Sequence, residues 1–269
     1  MDGSGEGPRG RPEAIVRPRA GAEMFTVERI APSAALVEHV DYHWLVRWDV
    51  SEGHTQQVVP QPRVHLAAER DRLLVHGVTR EPFERVLTGQ GLVLGTAFRP
   101  AGFHAFLKRP VSSVAGTVQT GGDVLGVDDR PAALHILSDG PADELVAAME
   151  EYLLALRPEP DETARWLDGL VAEVERRLDI RRAEQLAELA GVSLRALQRA
   201  FTEYVGIGPK WVIQRFRILE AAAAAHSGEP VDWALLAQDL GFSDQAHLTR
   251  VFAQVVGTPP ETYRRDPGV

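Results

Sequence analysis

Two periodicities divide the chain. Between residues 24 and 99 the apolar positions come in short runs, some alternating with polar ones: VDYHWLVRWDV (40–50), QQVVP (56–60), RVHLAA (63–68), RLLVHGV (72–78) and GLVLGTAF (91–98). A period of two marks strands with one buried face, and Gly, Pro, Asp and Ser separate most of the runs. Strands of this length and spacing predict a small sandwich or barrel. From about Pro131 the period changes. Across PADELVAAMEEYLLALR (141–157) the apolar residues fall at Leu145, Ala148, Met149, Tyr152, Leu153 and Leu156, which is helical spacing. Pro141 and Asp143 suit the first turn of that helix.

RPEPDET (157–163) sets two prolines among charges and reads as a linker, with only helical pattern beyond it. The chain is therefore expected to be α+β. A tail spans 1–22, a β-rich domain with trailing helices 23–157, a linker 158–162 and an all-helical domain 163–269. The tail is rich in Gly, Pro and Arg and lacks the apolar core of a secretory signal, so disorder is expected.

The helical part contains an internal repeat. LAELAGVSLRALQRAFTEYVGIGP runs from Leu186 to Pro209, and LAQDLGFSDQAHLTRVFAQVVGTPP from Leu236 to Pro260. Each opens on Leu-Ala, reaches a Gly (Gly191, Gly241), then a hydrophobe and a Ser, then a helix ending near Phe, then Gly and Pro. The second copy carries an extra residue after its Ser. Gly191 and Gly241 stand where a helix must stop, and glycine takes the left-handed conformation cheaply. Ser193 and Ser243 are placed to cap the next helix. That helix buries Leu197 and Phe201, or Leu248 and Phe252, at i and i+4. Two short helices around a Gly turn, the second with a polar outer face, is the helix-turn-helix pattern.

The outer faces carry the chemistry. Arg195, Gln198 and Arg199 share one face of the first copy, and Gln245, Thr249 and Arg250 the matching face of the second, with His247 and Asp244 nearby. Arg is the usual reader of guanine, and Gln can pair with adenine. Between the copies, PKWVIQRFRILEAAAAAH (209–226) reads as one helix, with Pro209 at its start. At about 1.5 Å per residue it would be a rod of roughly 27 Å. A rod of that order could hold two recognition helices about one DNA turn apart, ~34 Å, so that one chain reads two successive major grooves.

Residues 161–269 resemble the DNA-binding domain of AraC/XylS-family transcription regulators. LAQDLGF, SDQAHLTRVF and GTPP match the family's pattern of hydrophobe-Ala, Gly-Phe, a capping Ser, a recognition helix ending in Phe, and Gly-x-Ser/Thr-Pro. The resemblance implies base and phosphate contacts from Arg195, Gln198 and Arg199, then Gln245, Thr249 and Arg250, flanked by Ser193, Ser243 and His247. It implies double-stranded operator DNA as partner, with RNA polymerase and a second copy of the chain as further partners. It implies a small-molecule effector for the other domain, no cofactor, no catalytic activity and a cytoplasmic location. Two positions depart from the pattern. Leu248 stands where the family often has Phe, and Ala246 where a polar contact residue is common. Residues 24–125 resemble, through HGV (76–78) and FRPAGFHAFL (98–107), the β-rich sensor-like domains that accompany such C-terminal halves in actinobacterial regulators.

Composition narrows the alternatives. The chain has 269 residues, no cysteine and a formal net charge of −9. Thiolate metal sites, disulfides and Cys nucleophiles are excluded, which sets aside a methyl-accepting repair regulator sharing the same tail. No apolar run reaches the ~18 residues of a membrane span. The acidic balance argues against a sequence-blind nucleic-acid coat and predicts modest non-specific affinity. Arg195, Arg199, Lys210, Arg215, Arg217, Arg250, Arg264 and Arg265 are the cations available for a local basic face.

The rival reading is a metal-dependent cupin-like enzyme domain fused to a DNA-binding tail. His43, His54, His65 and His76 recur every 11 residues, yet a metal site needs converging pairs such as HxH on a strand or HxxxH on a helix. They read as ordinary core or surface histidines. GQGLVLG (89–95) has its glycines in the wrong places for a phosphate loop. Asp128-Asp129 and Glu150-Glu151 read as solvated charge in turns and on a helix surface.

Overall fold

The computed structural model describes residues 25–138, 140–227 and 229–266, and not the side chains at 52, 54, 56 and 57. The expected tail over 1–22 lies outside the described residues.

The β-rich part is one six-stranded antiparallel sheet. Its strands are β1 (Phe25–Ile30), β2 (Val40–Val58), β3 (His65–Glu69), β4 (Arg72–His76), β5 (Phe83–Phe98) and β6 (Val118–Thr120), in the order β1-β2-β5-β3-β4-β6. The expected sandwich or barrel does not form, because helices cover the face that a second sheet would need. VDYHWLVRWDV (40–50) and the first three residues of QQVVP (56–58) belong to one strand. Beyond a register shift between Val50 and His54, β2 stays paired with the first half of β5.

The pleat sorts side chains cleanly. His43, Leu45, Leu66, Val75 and Leu94 point to one face and are buried there. Against that face pack α3 (Arg130–Ile136) and α4 (Ala142–Ala155), through Ile136, Leu145, Met149 and Leu153. Before them come α1 (His104–Leu107) and α2 (Gly121–Leu125). Two acids expected to be solvated hold this layer together. Asp129 is fully buried and accepts from the Leu73 N–H at 2.8 Å, with the Arg72 guanidinium at 3.0 Å. Glu150 of α4 accepts from the Ser33 N–H at 2.7 Å and lies 3.1 Å from His43 Nε2, while His43 Nδ1 meets Thr96 Oγ1. Burial pushes the Glu150 carboxyl up, but the Ser33 and His43 bonds outweigh it and hold it below the usual range.

The rest of the described chain is helical: α5 (Glu162–Arg176), α6 (Ala183–Leu189), α7 (Leu194–Tyr204), α8 (Pro209–His226), α9 (Trp233–Asp239), α10 (Gln245–Val256) and α11 (Pro260–Arg265). Asp161 caps α5 by accepting from Thr163 N–H at 2.8 Å. Helices α6–α7 and α9–α10 are the two expected units. Gly191 (φ +67°) and Gly241 (φ +79°) make their turns in the left-handed region. Leu197, Phe201, Leu248 and Phe252 are all fully buried, as the repeat predicts. Among the described residues no helix is long and apolar enough to cross a membrane.

The caps of the two units differ. Ser193 accepts from the Ala196 N–H at 3.2 Å and caps α7. Ser243 does not cap α10. The extra residue in the second copy moves the cap to Asp244, which accepts from the His247 N–H at 2.7 Å. Ser243 Oγ sits instead 3.2 Å from Asp244 Oδ2 and from His247 Nδ1.

Arg215 and Arg217 of α8, offered above as surface cations, are each only 1% exposed. Arg217 Nη2 donates to the carbonyls of Val174, Arg177 and Ile180 at 2.9, 2.7 and 3.1 Å. Arg215 stacks on Trp211 at 4.6 Å and donates to the Arg80 carbonyl at 3.1 Å, which joins α8 to the loop before β5. Burial pulls its guanidinium down to about 10. A second link runs from α5, where half-buried Asp168 accepts from the Ala101 N–H at 2.8 Å.

Two expected outcomes follow from this packing. Asp244→Ala should cost about 1 kcal/mol by urea denaturation, and Ser243→Ala only a few tenths; equal losses would return the cap to Ser243. Burial raises the Asp168 carboxyl to about 6 against the pull of Ala101, Arg99 and Arg63. Its protonated form favours the fold, so this stabilisation is full below ~3.9 and is lost as pH rises through the folded value. Asp168→Asn keeps the acceptor without the charge. It should raise stability at pH 7.5 by on the order of 1 kcal/mol, and by little near pH 4; a lower melting temperature at pH 7.5 would overturn this.

Candidate nucleic-acid interface

Burial on one side of α7 dictates what faces out on the other. With Leu197 and Phe201 in the core, Arg195, Gln198 and Arg199 are all exposed. Arg195 and Gln198 lie on the open flank. Arg199 sits on the flank nearer α5, where it lines a shallow hollow with Trp166, Ala200 and Tyr204. The three residues read as one face are thus brought together, with Arg199 at its edge.

On α10 the outward residues are Gln245, Ala246 and Arg250. Thr249 is half-buried beside Leu248. His247 is also half-buried. Its ring meets Phe242 edge-on at 5.3 Å, and its Nδ1 bonds Ser243, so it braces the turn. The bond from the His247 N–H holds the Asp244 carboxyl below its usual range, helped by Ser243 and the positive charge of Arg250.

The electrostatics separate these arginines from the others. Arg264 and Arg265 bind Glu261 at 2.9 Å each, and Arg264, Trp233 and Arg265 hold that carboxyl down at about 2. Arg176 pairs with Glu173 and Arg177 with Asp179. Arg215 and Arg217 are inside. Among the described residues Arg195, Arg199, Lys210 and Arg250 make no ion pair, and all four are exposed. The basic face expected from eight cations reduces to these four, and each has its donors available to phosphate oxygens or base edges.

The other face of the sheet holds a feature that none of the sequence motifs marks. From β2 the indoles of Trp44 and Trp48 lie flat across β5, in register with Gly95 and Gly91. A Cβ at either glycine would stand about 2 Å from an indole ring atom (2.1 Å at Gly95, 2.0 Å at Gly91), so only glycine admits the rings. Together with Val46, Val93 and Phe83 they wall a cavity of about 380 Å³. The signal was in the sequence as two equal spacings, WLVRW (44–48) and GLVLG (91–95), which pair only once the strands are known to be neighbours. His65 and His76, cross-strand partners, also face this cavity, whereas His43 faces the helices. Among the described residues no group of three or more His, Asp or Glu side chains is placed to hold a metal.

Two family models match separate stretches of the chain. A family model described as a helix-turn-helix domain matches residues 186–266, and one described as a domain of unknown function matches residues 28–120. A protein of Streptomyces lividans described as an AraC-like transcription regulator is 31% identical over 149 residues, covering 51% of this chain and 47% of that protein. One of Streptomyces antibioticus with the same description is 31% identical over 137 residues, 47% of this chain and 45% of its own. The chain thus spans about half the length of the curated relatives it matches. Among solved structures, ToxT from Vibrio cholerae aligns over 90% of this chain and 98% of its own, with a TM-score of 0.40 at 8% identity. With its two glycine turns, its capped second helices and its outward arginines, the segment 186–266 is an AraC-type helix-turn-helix domain.

Proposed function

We propose that the chain is a sequence-specific DNA-binding transcription regulator acting in the cytoplasm. On this reading α7 and α10 enter successive major grooves, and the sheet domain, divided from the helical one near residue 160, senses a small-molecule effector. The observation that carries it is the pair of equivalent helix faces whose exposed arginines form no ion pair among the described residues, while Arg176, Arg177, Arg264 and Arg265 do. Arg195, Gln198 and Arg199 read one half-site. Gln245 and Arg250 read the other, with Thr249 lending its half-buried hydroxyl. Ser193 and Ser243, at the mouths of the two turns, and His247 behind them set the approach of each helix to the backbone. Ala246 offers no hydrogen bond to a base, so the first helix carries more of the specificity. Both readers lie on one chain, so a groove pair needs no second copy. The reading is of a binding protein and not of an enzyme.

Replacing Arg199 or Arg250 by Ala should weaken binding to a selected genomic operator by about 1–3 kcal/mol each. Binding to random DNA should fall far less. Fluorescence anisotropy with both DNAs at fixed salt reads this directly. Unchanged operator affinity in both variants would sink the DNA reading in favour of a helical module for a protein partner.

A further inference from the structure

The cavity on the open face of the sheet has a chemistry of its own. Its volume of about 380 Å³ lies in the range of small-molecule sites. Trp44 and Trp48 present two flat rings, bedded on Gly95 and Gly91, that favour a planar ligand. The cavity's charges are largely used up within the protein. Arg63 is paired with Asp41. Glu69 is held by Arg85 at 2.5 Å and by His76 at 3.4 Å. An incoming charge would have to break one of these pairs or be buried without a partner, and either is costly.

One polar group is left over. Trp44 Nε1 donates to His65 Nδ1 at 3.3 Å, so that nitrogen carries no proton. Burial, with Arg63 and His76 adding to it, pulls the His65 ring down to about 3, so it is neutral and its proton sits on Nε2. Among the described residues nothing accepts from that N–H.

We propose that this cavity is a binding site for a neutral, planar, mostly apolar small molecule that stacks on Trp44 and Trp48 and accepts a hydrogen bond from His65 Nε2–H. This deepens the sensor reading above and rests on it for its biological sense.

The test uses the full chain, its indole fluorescence, and three probes of one shape. These are 2-acetylnaphthalene (neutral, with a carbonyl acceptor), naphthalene (no acceptor) and 2-naphthoate (an anion). The acetyl compound should bind on the order of five- to tenfold tighter than naphthalene, and tighter than the anion. His65→Leu should abolish the preference for the acetyl compound while leaving naphthalene binding in place. His65→Gln, which keeps a donor, should restore part of it. Saturable binding led by 2-naphthoate would mark an anion site and overturn the proposal. So would no saturable binding of any probe, or a preference that His65→Leu does not alter. Operator binding is measured separately, with and without 2-acetylnaphthalene. A chain that binds the probe but no DNA sinks the regulator reading alone, and one that binds DNA but no probe sinks the cavity proposal alone.

Discussion

The helical half depends on one buried guanidinium. A helix leaves its last carbonyls without intrahelical donors, and those of α5 end inside the protein. Arg217 supplies the donor from another helix, reaching the carbonyls of Val174, Arg177 and Ile180. Removing it would leave buried acceptors unsatisfied, which costs more than a hydrogen bond gains. The contact fixes α8 against α5, and α8 also packs on α6, α7, α10 and α11. The relative pose of α7 and α10 therefore depends on a helix that touches both units and is held against α5 by Arg217.

Arg215, two residues earlier, points about 200° the other way around the helix. It reaches out of the helical half to the Arg80 carbonyl. The loop that offers this carbonyl also borders the cavity, through Gly77, Thr79 and Phe83. A second junction lies at the end of α7, where Val111 sits so close to Gly206 that a Cβ there would meet it at 3.0 Å. Both junctions are closely packed. The Arg80 carbonyl is thus the point at which the loop at 77–83 touches α8, and Gly206 the point at which the end of α7 touches Val111.

What could be read from the sequence was local or repeated. Glycine turns, the buried Leu197, Phe201, Leu248 and Phe252, and the long helix at 209–226 all depend on spacing along the chain, and the turns and buried pairs recur in both copies of the repeat. What could not be read depends on neighbours far away in sequence. Arg215 and Arg217 look like surface charge until α5 and the loop at 80 are placed beside them. Asp129 looks solvated until Leu73 N–H points at it. The glycines of GLVLG look aimless until Trp44 and Trp48 lie across them. The misplaced cap is a different failure. Ser243 matches Ser193 by its place in the repeat, but with the inserted residue Asp244 is an equally good cap and stands one place nearer the helix.

The charge balance then has a definite consequence for recognition. A chain of net charge −9 offers a polyanion no long-range attraction. At physiological salt, exposed charges more than about 8 Å apart are largely screened, so what matters is what stands at the contact. Six of the twelve arginines between 161 and 269 are engaged by Glu261, Glu173, Asp179 or backbone carbonyls, and Arg165 lies against Glu38. Among the described residues Arg195, Arg199, Lys210 and Arg250 make no ion pair, and they stand on or beside α7 and α10. Few phosphate contacts mean a shallow dependence of affinity on salt and weak binding to arbitrary sequence. On the proposed reading, α7 and α10 then need base-edge partners for a stable complex, and poverty in positive charge becomes a source of selectivity.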